Sequence, residues 1–277
     1  MPINQNIYPY NEQVKKLPVY LTGIGGSEYQ YHIIRPEGYN WSQILYSAHG
    51  KGCLKYNGST VSLTEGYYFF LPKDFPHEYY PVSENWDVRW VAFDGTGEEA
   101  LLESLKMTRP AVVCPDNGEN MRSLFGRMMT ALSADKVYGS YTCAGLVYSY
   151  IIEFHKLLSD RANPGGSNRS SILTPAINYI DEHFREDFSL SVLAEMAGVS
   201  PQHLCRIFKE TMNMRPVEYL TYRRIREAEQ LLCRTDLPVS EICETVGFSG
   251  AGYFSTVFRK CTGIAPSEFR EKNTIND

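Results

Sequence analysis

Hydrophobic and polar positions follow one period in the first part of the chain and another period afterwards. Up to about residue 108, short apolar or alternating runs are bounded by Gly, Pro and Asn, as in SQILYSAHGKGCLKYNG, STVSLTEGYYFFLP and WDVRWVAFDG. Such closely spaced runs predict the short strands of an all-β sandwich or barrel. Their many aromatic residues suit a barrel whose interior is wide enough for a small ligand.

Beyond this β-type region, apolar residues recur at helical spacing. Two amphipathic stripes between residues 119 and 160 predict two helices. The first stripe is Met121, Leu124, Phe125, Met128, Met129 and Leu132, and the second is Val147, Ile151, Phe154 and Leu158. Together they predict a helical hairpin that docks on the β-rich region or on a partner subunit.

The segment RANPGGSNRSS, residues 161–171, combines Pro, Gly, Ser and Asn without periodicity. It predicts a flexible linker. The chain after it is predicted to be helical. Proline marks three helix starts, at Thr174-Pro175, Ser200-Pro201 and Arg215-Pro216, because proline is tolerated at the first helical position.

The helical C-terminal region contains an internal repeat. The segment LAEMAGVSPQHLCRIFKETMNMRP, 193–216, aligns with ICETVGFSGAGYFSTVFRKCTGIAP, 242–266, if one residue is inserted in the second copy. Each copy has a short apolar helix, a Gly-x-Ser turn and a second amphipathic helix, which is the pattern of a helix-turn-helix unit. Two such units in register, at 190–211 and 239–260, are stronger evidence than one.

A further helix, from Pro216 to about Arg234, is predicted to join the two units. Its buried stripe is predicted to contain Val217, Leu220, Ala228, Leu231 and Leu232. Its positive charges come from Arg223, Arg224 and Arg226. Arginines in such a position are more often solvated or paired, here with Glu227 and Glu229, than bound to DNA.

These motifs resemble those of AraC/XylS-type transcriptional regulators. The signature residues stand here as Arg224-Ile225-x-x-Ala228-x-x-Leu231-Leu232, Ile242, Val246-Gly247-Phe248, Tyr253-Phe254, Phe258 and Gly263-x-x-Pro266. The N-terminal segments RPEGYNWSQILYSAHGKGCLKYNG, TEGYYFFLPKDFPHEYY and ENWDVRWVAFDG are similar to the family's cupin-like, sugar-sensing domain.

The resemblance implies an α+β multidomain protein. Its predicted parts are an N-terminal arm at 1–18, a cupin-like β-barrel at 19–108, a helical dimerisation hairpin at 109–160, the linker at 161–171 and an all-α DNA-binding domain with two helix-turn-helix motifs at 172–272.

In the first helix-turn-helix unit, Leu204, Ile207 and Phe208 form the predicted core face of the second helix. The N-terminal part of such a helix enters the major groove. The outer face carries Gln202, Cys205, Arg206 and Lys209, with His203 at its edge. Gln202 is suited to pair with adenine and Arg206 with guanine. The alternative for Arg206 is a solvated surface arginine. Ser200 is predicted to cap the helix, with phosphate contact as a secondary role.

The second unit is predicted to be a weaker reader of bases. Its apolar face is predicted to contain Tyr253, Phe254, Val257 and Phe258. Gly252 replaces Gln202, and Thr256 replaces Arg206, although members of the family often carry Arg or Lys at the latter position. Ser249, predicted to be a helix cap, and Ser255, Thr256, Arg259 and Lys260 are suited to hold phosphates, which positions a protein without reading sequence.

The resemblance also implies a sugar-type pocket in the barrel. Arg35, Tyr79 and Trp90 stand where the family's arabinose-sensing member has an Arg, a Tyr and a Trp, and His77 is expected nearby. Val88 replaces a polar His, so the ligand is expected not to be arabinose or to be held differently. The alternatives are a buried structural role for Arg35 beneath Pro36, and plain barrel core for Trp90 and Trp86.

Composition narrows the function classes. The net charge of −5 does not by itself suggest nucleic-acid binding, so that prediction depends on local basic faces. The seven cysteines include no C-x-x-C pair, which argues for reduced thiols in a cytoplasm and against disulfides or a zinc site.

No apolar run is long enough to span a bilayer, and no secretory signal is recognised. His32, His49 and His77 lie far apart without an H-x-H motif, so no metal or other cofactor is expected.

The prediction is a cytoplasmic, ligand-responsive transcription regulator, and the resemblance implies a role in carbohydrate metabolism. Its expected partners are double-stranded DNA, a small-molecule effector of the sugar type and a second copy of the chain, with RNA polymerase as a further candidate and no membrane. Two alternatives stay open. One is a constitutive DNA-binding regulator whose barrel serves only for dimerisation, and the other is a metal-dependent cupin enzyme fused to a DNA-binding tail.

Overall fold

A computed structural model describes residues 5–161 and 169–273. The chain divides into two compact units, Met1–Pro164 and Gly165–Asp277. Most of the segment predicted as a flexible linker, residues 162–168, lies outside the described residues, as do the first four residues of the predicted arm.

The first unit is β-rich, as predicted. Its described strands are β1 (Asn6–Ile7), β2 (Tyr20–Ser27), β3 (Ile33–Arg35), β4 (Ser42–His49), β5 (Lys51–Tyr56), β6 (Ser59–Thr64), β7 (Tyr68–Leu71), β8 (His77–Pro81), β9 (Asp87–Asp94) and β10 (Ala111–Val113). They form a six-stranded sheet in the order β1-β2-β9-β4-β7-β10 and a four-stranded sheet in the order β3-β8-β5-β6. The paired strands are antiparallel.

Strand β7 shows why part of the sequence is apolar without alternation. Tyr68 and Phe70 face one hydrophobic core, and Phe69 and Leu71 face another. Successive side chains of a strand point to opposite faces, so a strand buried on both faces is apolar throughout. The second of these cores also contains Leu54 from the four-stranded sheet, and it therefore lies between the two sheets.

The other face of the six-stranded sheet is covered by the predicted helical hairpin. The helices of this unit are α1 (Glu98–Ser104), α2 (Glu119–Ala134) and α3 (Gly139–Arg161). Val147 and Ile151 of α3 are fully buried, and the ring of Phe154 lies 6.3 Å from that of Phe70. The hairpin therefore docks on the sheet of its own chain.

The second unit is all-α. Its helices are α4 (Arg169–His183), α5 (Leu190–Met196), α6 (Pro201–Met212), α7 (Pro216–Arg234), α8 (Val239–Thr245), α9 (Ala251–Thr262) and α10 (Pro266–Asn273). The repeated units are α5-α6 and α8-α9, each with its own hydrophobic core. Helix α7 serves both cores, because Leu220 packs on the first and Ile225, Ala228 and Leu232 on the second.

Two details of the predicted helices were wrong. Pro175 does not begin a helix but lies inside α4. Ile172 and Leu173, in the turn before it, are buried in the first core, and their packing stabilises a helix that starts earlier at Arg169. Val217 was expected in the buried stripe of α7 and is instead 65% exposed. It lies in the first turn of α7, where the partly buried positions are Tyr219 and Leu220.

Glycine is needed in both helix-turn-helix turns, for partly different reasons. Gly198 and Gly247 have φ of 65° and 89°, in the left-handed region that favours glycine. A Cβ at Gly198 would meet open space, whereas one at Gly247 would lie 2.7 Å from the carbonyl oxygen of Arg185. The second turn is therefore packed against the segment that follows α4.

Candidate functional site

Helix α6 presents the predicted base-reading residues on one exposed face. Ser200 caps the helix, and its hydroxyl accepts a hydrogen bond from the His203 backbone N–H at 3.3 Å. Gln202, Arg206 and Lys209 are exposed, while Leu204, Ile207 and Phe208 on the opposite face are buried. Residues four apart lie one above the other on a helix. Gln202 and Arg206 are therefore neighbours along the exposed face.

The Arg206 guanidinium is held by weak surface contacts. Its Nη1 donates to Glu210 Oε1 at 3.3 Å, and its Nη2 donates to His203 Nδ1 at 3.2 Å. Because His203 Nδ1 accepts this second hydrogen bond, the ring N–H of a neutral His203 lies on Nε2. Exposed i,i+4 ion pairs contribute only about 0.3–0.5 kcal/mol. The guanidinium is therefore available to an incoming acceptor at little cost.

The other predicted residues of α6 differ in exposure. Cys205 is half-buried, so its short side chain can reach DNA only where the DNA lies close to the helix. The Lys209 ammonium donates to the Asn213 carbonyl oxygen at 3.2 Å, beyond the end of the helix. Lys209 is thus positioned at the C-terminal end of α6, away from the end that carries Ser200 and Gln202.

The second unit begins its helix one residue later than predicted. Ser249 is exposed and does not cap α9, because the cap position is occupied by Gly250, which makes no side-chain cap. The residue inserted in this copy separates the serine from the helix. The prediction that Ser249 is an N-cap was therefore wrong, and the start of α9 lacks the hydroxyl that orders α6.

The outer face of α9 is poor in groups that can read bases. The Thr256 hydroxyl donates to the Gly252 carbonyl oxygen at 3.0 Å, so its proton is used within the helix. Ser255 is half-buried, and Arg259 and Lys260 are exposed in the last turn. Tyr253 was predicted to be in the core but is 65% exposed, with its ring 6.1 Å from that of Phe248. Phe254 and Phe258 alone supply the fully buried aromatic positions of this helix face.

The arginines of α7 are engaged within the protein. Arg223 pairs with Glu227 at 3.0 Å, and Arg226 pairs with Glu229 at 2.9 Å. Arg224 is buried, and its guanidinium donates to the carbonyl oxygens of Phe184 and Glu186 at 2.6 and 2.9 Å. Arg224 therefore connects α7 to the segment between α4 and α5.

In the first unit, the predicted ligand residues Arg35 and His77 meet as register partners on β3 and β8. The Arg35 guanidinium lies 3.5 Å from the centroid of the Tyr39 ring and donates to Gln43 Oε1 at 3.4 Å. His77 donates from Nδ1 to the Phe75 carbonyl oxygen at 2.7 Å, while Nε2 is buried with no hydrogen-bond partner among the described residues. Burial lowers the pKa of His77, so the neutral ring with a free acceptor is favoured.

Tyr79, Val88 and Trp90 lie in or against the core between the two sheets. Burial raises the pKa of the Tyr79 phenol well above its usual range, so this group is a neutral donor. Val88 is fully buried. Trp90 is partly exposed, and its ring lies 5.6 Å from the ring of Tyr8 in the N-terminal segment.

Two residues outside the predicted set, Tyr8 and Gln43, belong to this group. Gln43 stands out in the sequence as a long polar residue in the buried strand β4, where it is 4% exposed. Tyr8 is placed by the antiparallel pairing of β1 with β2. A Cβ at Gly23 would lie 2.9 Å from atoms of both Trp90 and Tyr8, so the glycine makes room for this aromatic contact.

Arg35 and His77 line a surface cavity of about 530 Å³, together with Lys55, Tyr56 and Glu78. Tyr79, Val88 and Trp90 do not line it. The structure thus places Arg35 and His77 at a cavity and Tyr79, Val88 and Trp90 in the core or beside it. The two sets are in contact, because the His77 and Tyr79 rings stack with their centroids 6.0 Å apart. Among the residues that the structure describes, no group of His, Cys, Asp or Glu is arranged to hold a metal ion. None of the described helices has the length and apolar character of a membrane span.

Comparison with known proteins agrees with this architecture. Residues 18–144 match the AraC-like ligand binding domain, and residues 193–272 match a helix-turn-helix domain. The arabinose operon regulatory protein of Escherichia coli (strain K12) is 26% identical over 267 residues, which cover 93% of this chain and 90% of the relative. The lactose operon transcription activator of Staphylococcus xylosus is 25% identical over 252 residues, covering 87% and 89%.

A third relative is similar over a shorter length. It is the bifunctional transcriptional activator/DNA repair enzyme AdaA of Bacillus subtilis (strain 168), 35% identical over 99 residues, or 36% of this chain and 47% of the relative. This similarity is confined to the helix-turn-helix region.

A duplicated helix-turn-helix domain and an N-terminal ligand-binding domain together define a DNA-binding transcription regulator. The chain carries both an AraC-type helix-turn-helix domain and an AraC-like ligand binding domain.

Proposed function

We propose that the protein is a sequence-specific transcription regulator of carbohydrate metabolism that senses a sugar or sugar derivative through its first unit. The observation that carries the DNA-reading part is the face of α6, where Gln202 and Arg206 stand exposed beside a capped N-terminus. A glutamine and an arginine on a helix in the major groove are suited to adenine and guanine. The names of the arabinose and lactose operon relatives support the carbohydrate role.

The sensing part of the proposal rests on Arg35 and His77. At their cavity the Arg35 guanidinium offers donors, and the buried His77 Nε2, which has no hydrogen-bond partner among the described residues, is an acceptor next to it. Sugar hydroxyls both donate and accept hydrogen bonds, so they match this pair. The contact between the rings of Tyr8 and Trp90 lies outside this cavity, beside the N-terminal segment.

The proposal also covers the location, the oligomeric state and the partners predicted from the sequence. The protein acts in the cytoplasm as a homodimer, without enzymatic activity, and contacts double-stranded DNA and RNA polymerase. The hairpin of α2 and α3 carries dimerisation, which the exposed Tyr141 and Tyr148 on α3 support. Ser249, Ser255 and Arg259 hold phosphates of the DNA. The proposed domains of the chain are those predicted from the sequence.

A second candidate function is a constitutive regulator with a ligand-free first unit. The observation that favours it is the filled space between the sheets, where Val88 and Tyr79 are buried. Calorimetric titration with a panel of sugars separates the two candidates. Binding of any sugar supports the sensor, whereas absence of binding by all of them, with DNA binding intact, supports the constitutive regulator.

Arg206→Ala is expected to weaken specific DNA binding by about 1–3 kcal/mol and to relax the preference at one base position. Its physical reason is the loss of a bidentate contact to a base edge. The measurement is a binding assay with an operator and its single-position variants, using the full chain.

Thr256→Ala is the matched control, since Thr256 holds the equivalent place on α9 and its hydroxyl proton is already used. Its effect on affinity is expected to be small and the same for all sequences. An equal loss on every sequence for Arg206→Ala, or a sequence-selective loss for Thr256→Ala, would contradict the assigned roles.

Arg35→Ala is expected to weaken binding of the sugar that the protein recognises by about 1.5–3 kcal/mol, the range for hydrogen bonds to a charged group. The measurement is calorimetry with that sugar. Arg109→Ala, which removes an exposed arginine outside the cavity, serves as the control. Unchanged sugar binding by a folded Arg35→Ala protein would show that the pocket lies elsewhere.

A further inference from the structure

A second cavity in the first unit lies away from Arg35 and His77. It is found where the turn after β7, the end of β9 and helix α1 meet, and its volume is about 550 Å³. Leu102 and Met107 supply an apolar part of its wall, and Ser42 supplies a hydroxyl. A cavity of this size is within the range of small-molecule sites.

The polar lining of this cavity is mostly acidic. Its carboxylates are Asp74, Asp94, Glu98, Glu99 and Glu103. Lys73 is the one cationic side chain among the described lining residues, and its ammonium lies 3.6 Å from Asp94 Oδ1. A cleft lined by one sign of charge raises the local concentration of ions of the opposite sign. The cavity therefore attracts a cation.

Glu98 gives the cavity a specific anchor. Glu98 is 5% exposed, and its Oε1 atom is buried with no hydrogen-bond partner among the described residues. Burial raises the pKa of this carboxyl, a hydrogen bond with Ser42 opposes the rise, and the charge of Asp94 adds to it. A buried polar atom without a partner is costly, and a donor placed in the cavity removes that cost.

The lining also indicates the kind of cation. Among the described residues no carboxylate group is arranged to hold a metal ion. The apolar surfaces of Leu102 and Met107 instead suit a short hydrocarbon chain. We propose that this cavity binds a small organic cation, a primary ammonium group on a short alkyl chain, with Glu98 accepting its hydrogen bond. This site is independent of the sugar site proposed for Arg35 and His77.

The test is calorimetric titration of the full chain with putrescine and with the neutral diol of the same carbon chain. We expect putrescine to bind at one site per chain and the diol not to bind. Glu98→Gln keeps the shape but removes the charge, and it is expected to weaken putrescine binding about tenfold or more. Glu65→Gln is the matched control, because Glu65 is an exposed carboxylate paired with His49 outside the cavity, and it is expected to leave binding unchanged.

Glu103→Lys provides a second variant if Glu98→Gln does not fold. Glu103 lines the cavity but is exposed, so reversing its charge perturbs the core little and is expected to weaken putrescine binding. The proposal is overturned if putrescine does not bind or the diol binds equally well. It is also overturned if the folded cavity variants bind like the unmodified protein, or if Mg²⁺ alone displaces putrescine at one ion per chain.

Discussion

Phe254→Ala is expected to lower the free energy of unfolding of the second unit by about 3–5 kcal/mol. Phe254 is fully buried on α9, and its ring lies 5.2 Å from that of Phe248 and 5.6 Å from that of Phe258. Truncation removes the centre of this aromatic cluster and leaves a cavity that a small core has little room to close. Circular dichroism during denaturant unfolding of the full chain measures the change.

Tyr253→Ala is the matched control on the adjacent position of the same helix. Because Tyr253 is 65% exposed, its loss is expected to change the free energy of unfolding by about 0.5 kcal/mol or less. The three tryptophans, at 41, 86 and 90, lie in the first unit, so tryptophan fluorescence follows that unit separately. Equal destabilisation by the two substitutions would contradict the placement of α9.

Arg224→Ala is expected to lower the free energy of unfolding of the same unit by about 2–4 kcal/mol, because a buried and a partly buried acceptor lose charge-assisted hydrogen bonds. The carbonyl oxygens of Phe184 and Glu186 lose their guanidinium donor. The Arg224 guanidinium also lies 5.8 Å from the Phe248 ring centroid, so its packing is lost as well. The measurement is the same denaturant unfolding followed by circular dichroism.

Arg223→Ala removes a neighbouring arginine of the same helix whose side chain is 30% exposed and paired with Glu227. It is expected to cost about 1 kcal/mol or less. If Arg224→Ala were as mild as Arg223→Ala while DNA binding fell sharply, Arg224 would be a DNA contact and not a structural bridge.

The elements of the C-terminal unit were largely predictable because each signal is local. Helical spacing located α6 and α7, and Ser200-Pro201 and Arg215-Pro216 marked their starts. Periodicity does not tell which residues at the end of a stripe reach the core, and Tyr253 and Val217 were misplaced for this reason. Ser249 was misassigned because aligning two copies by their serines ignores the residue inserted after it.

The features that depend on distant contacts were not predictable. Pro175 looked like a helix start, but burial of Ile172 and Leu173 against a core assembled from later residues extends α4 past it. Tyr8 reaches Trp90 only because β1 pairs with β2, and a two-residue strand leaves no pattern in the sequence. Gln43 and Arg35 meet across separate strands, so their contact follows from topology and not from spacing.

Helix α7 also sets the layout of the DNA that the protein can contact. An α-helix of 19 residues is about 28 Å long, at a rise of about 1.5 Å per residue. Major grooves on one face of the duplex recur about every 34 Å. Because α7 joins the two helix-turn-helix units as a continuous helix, it is a spacer of nearly that length. An operator for this protein is therefore expected to have two segments on the same face of the duplex, about one turn apart. The sequence of the segment bound by α6 is expected to matter more than that of the segment bound by α9.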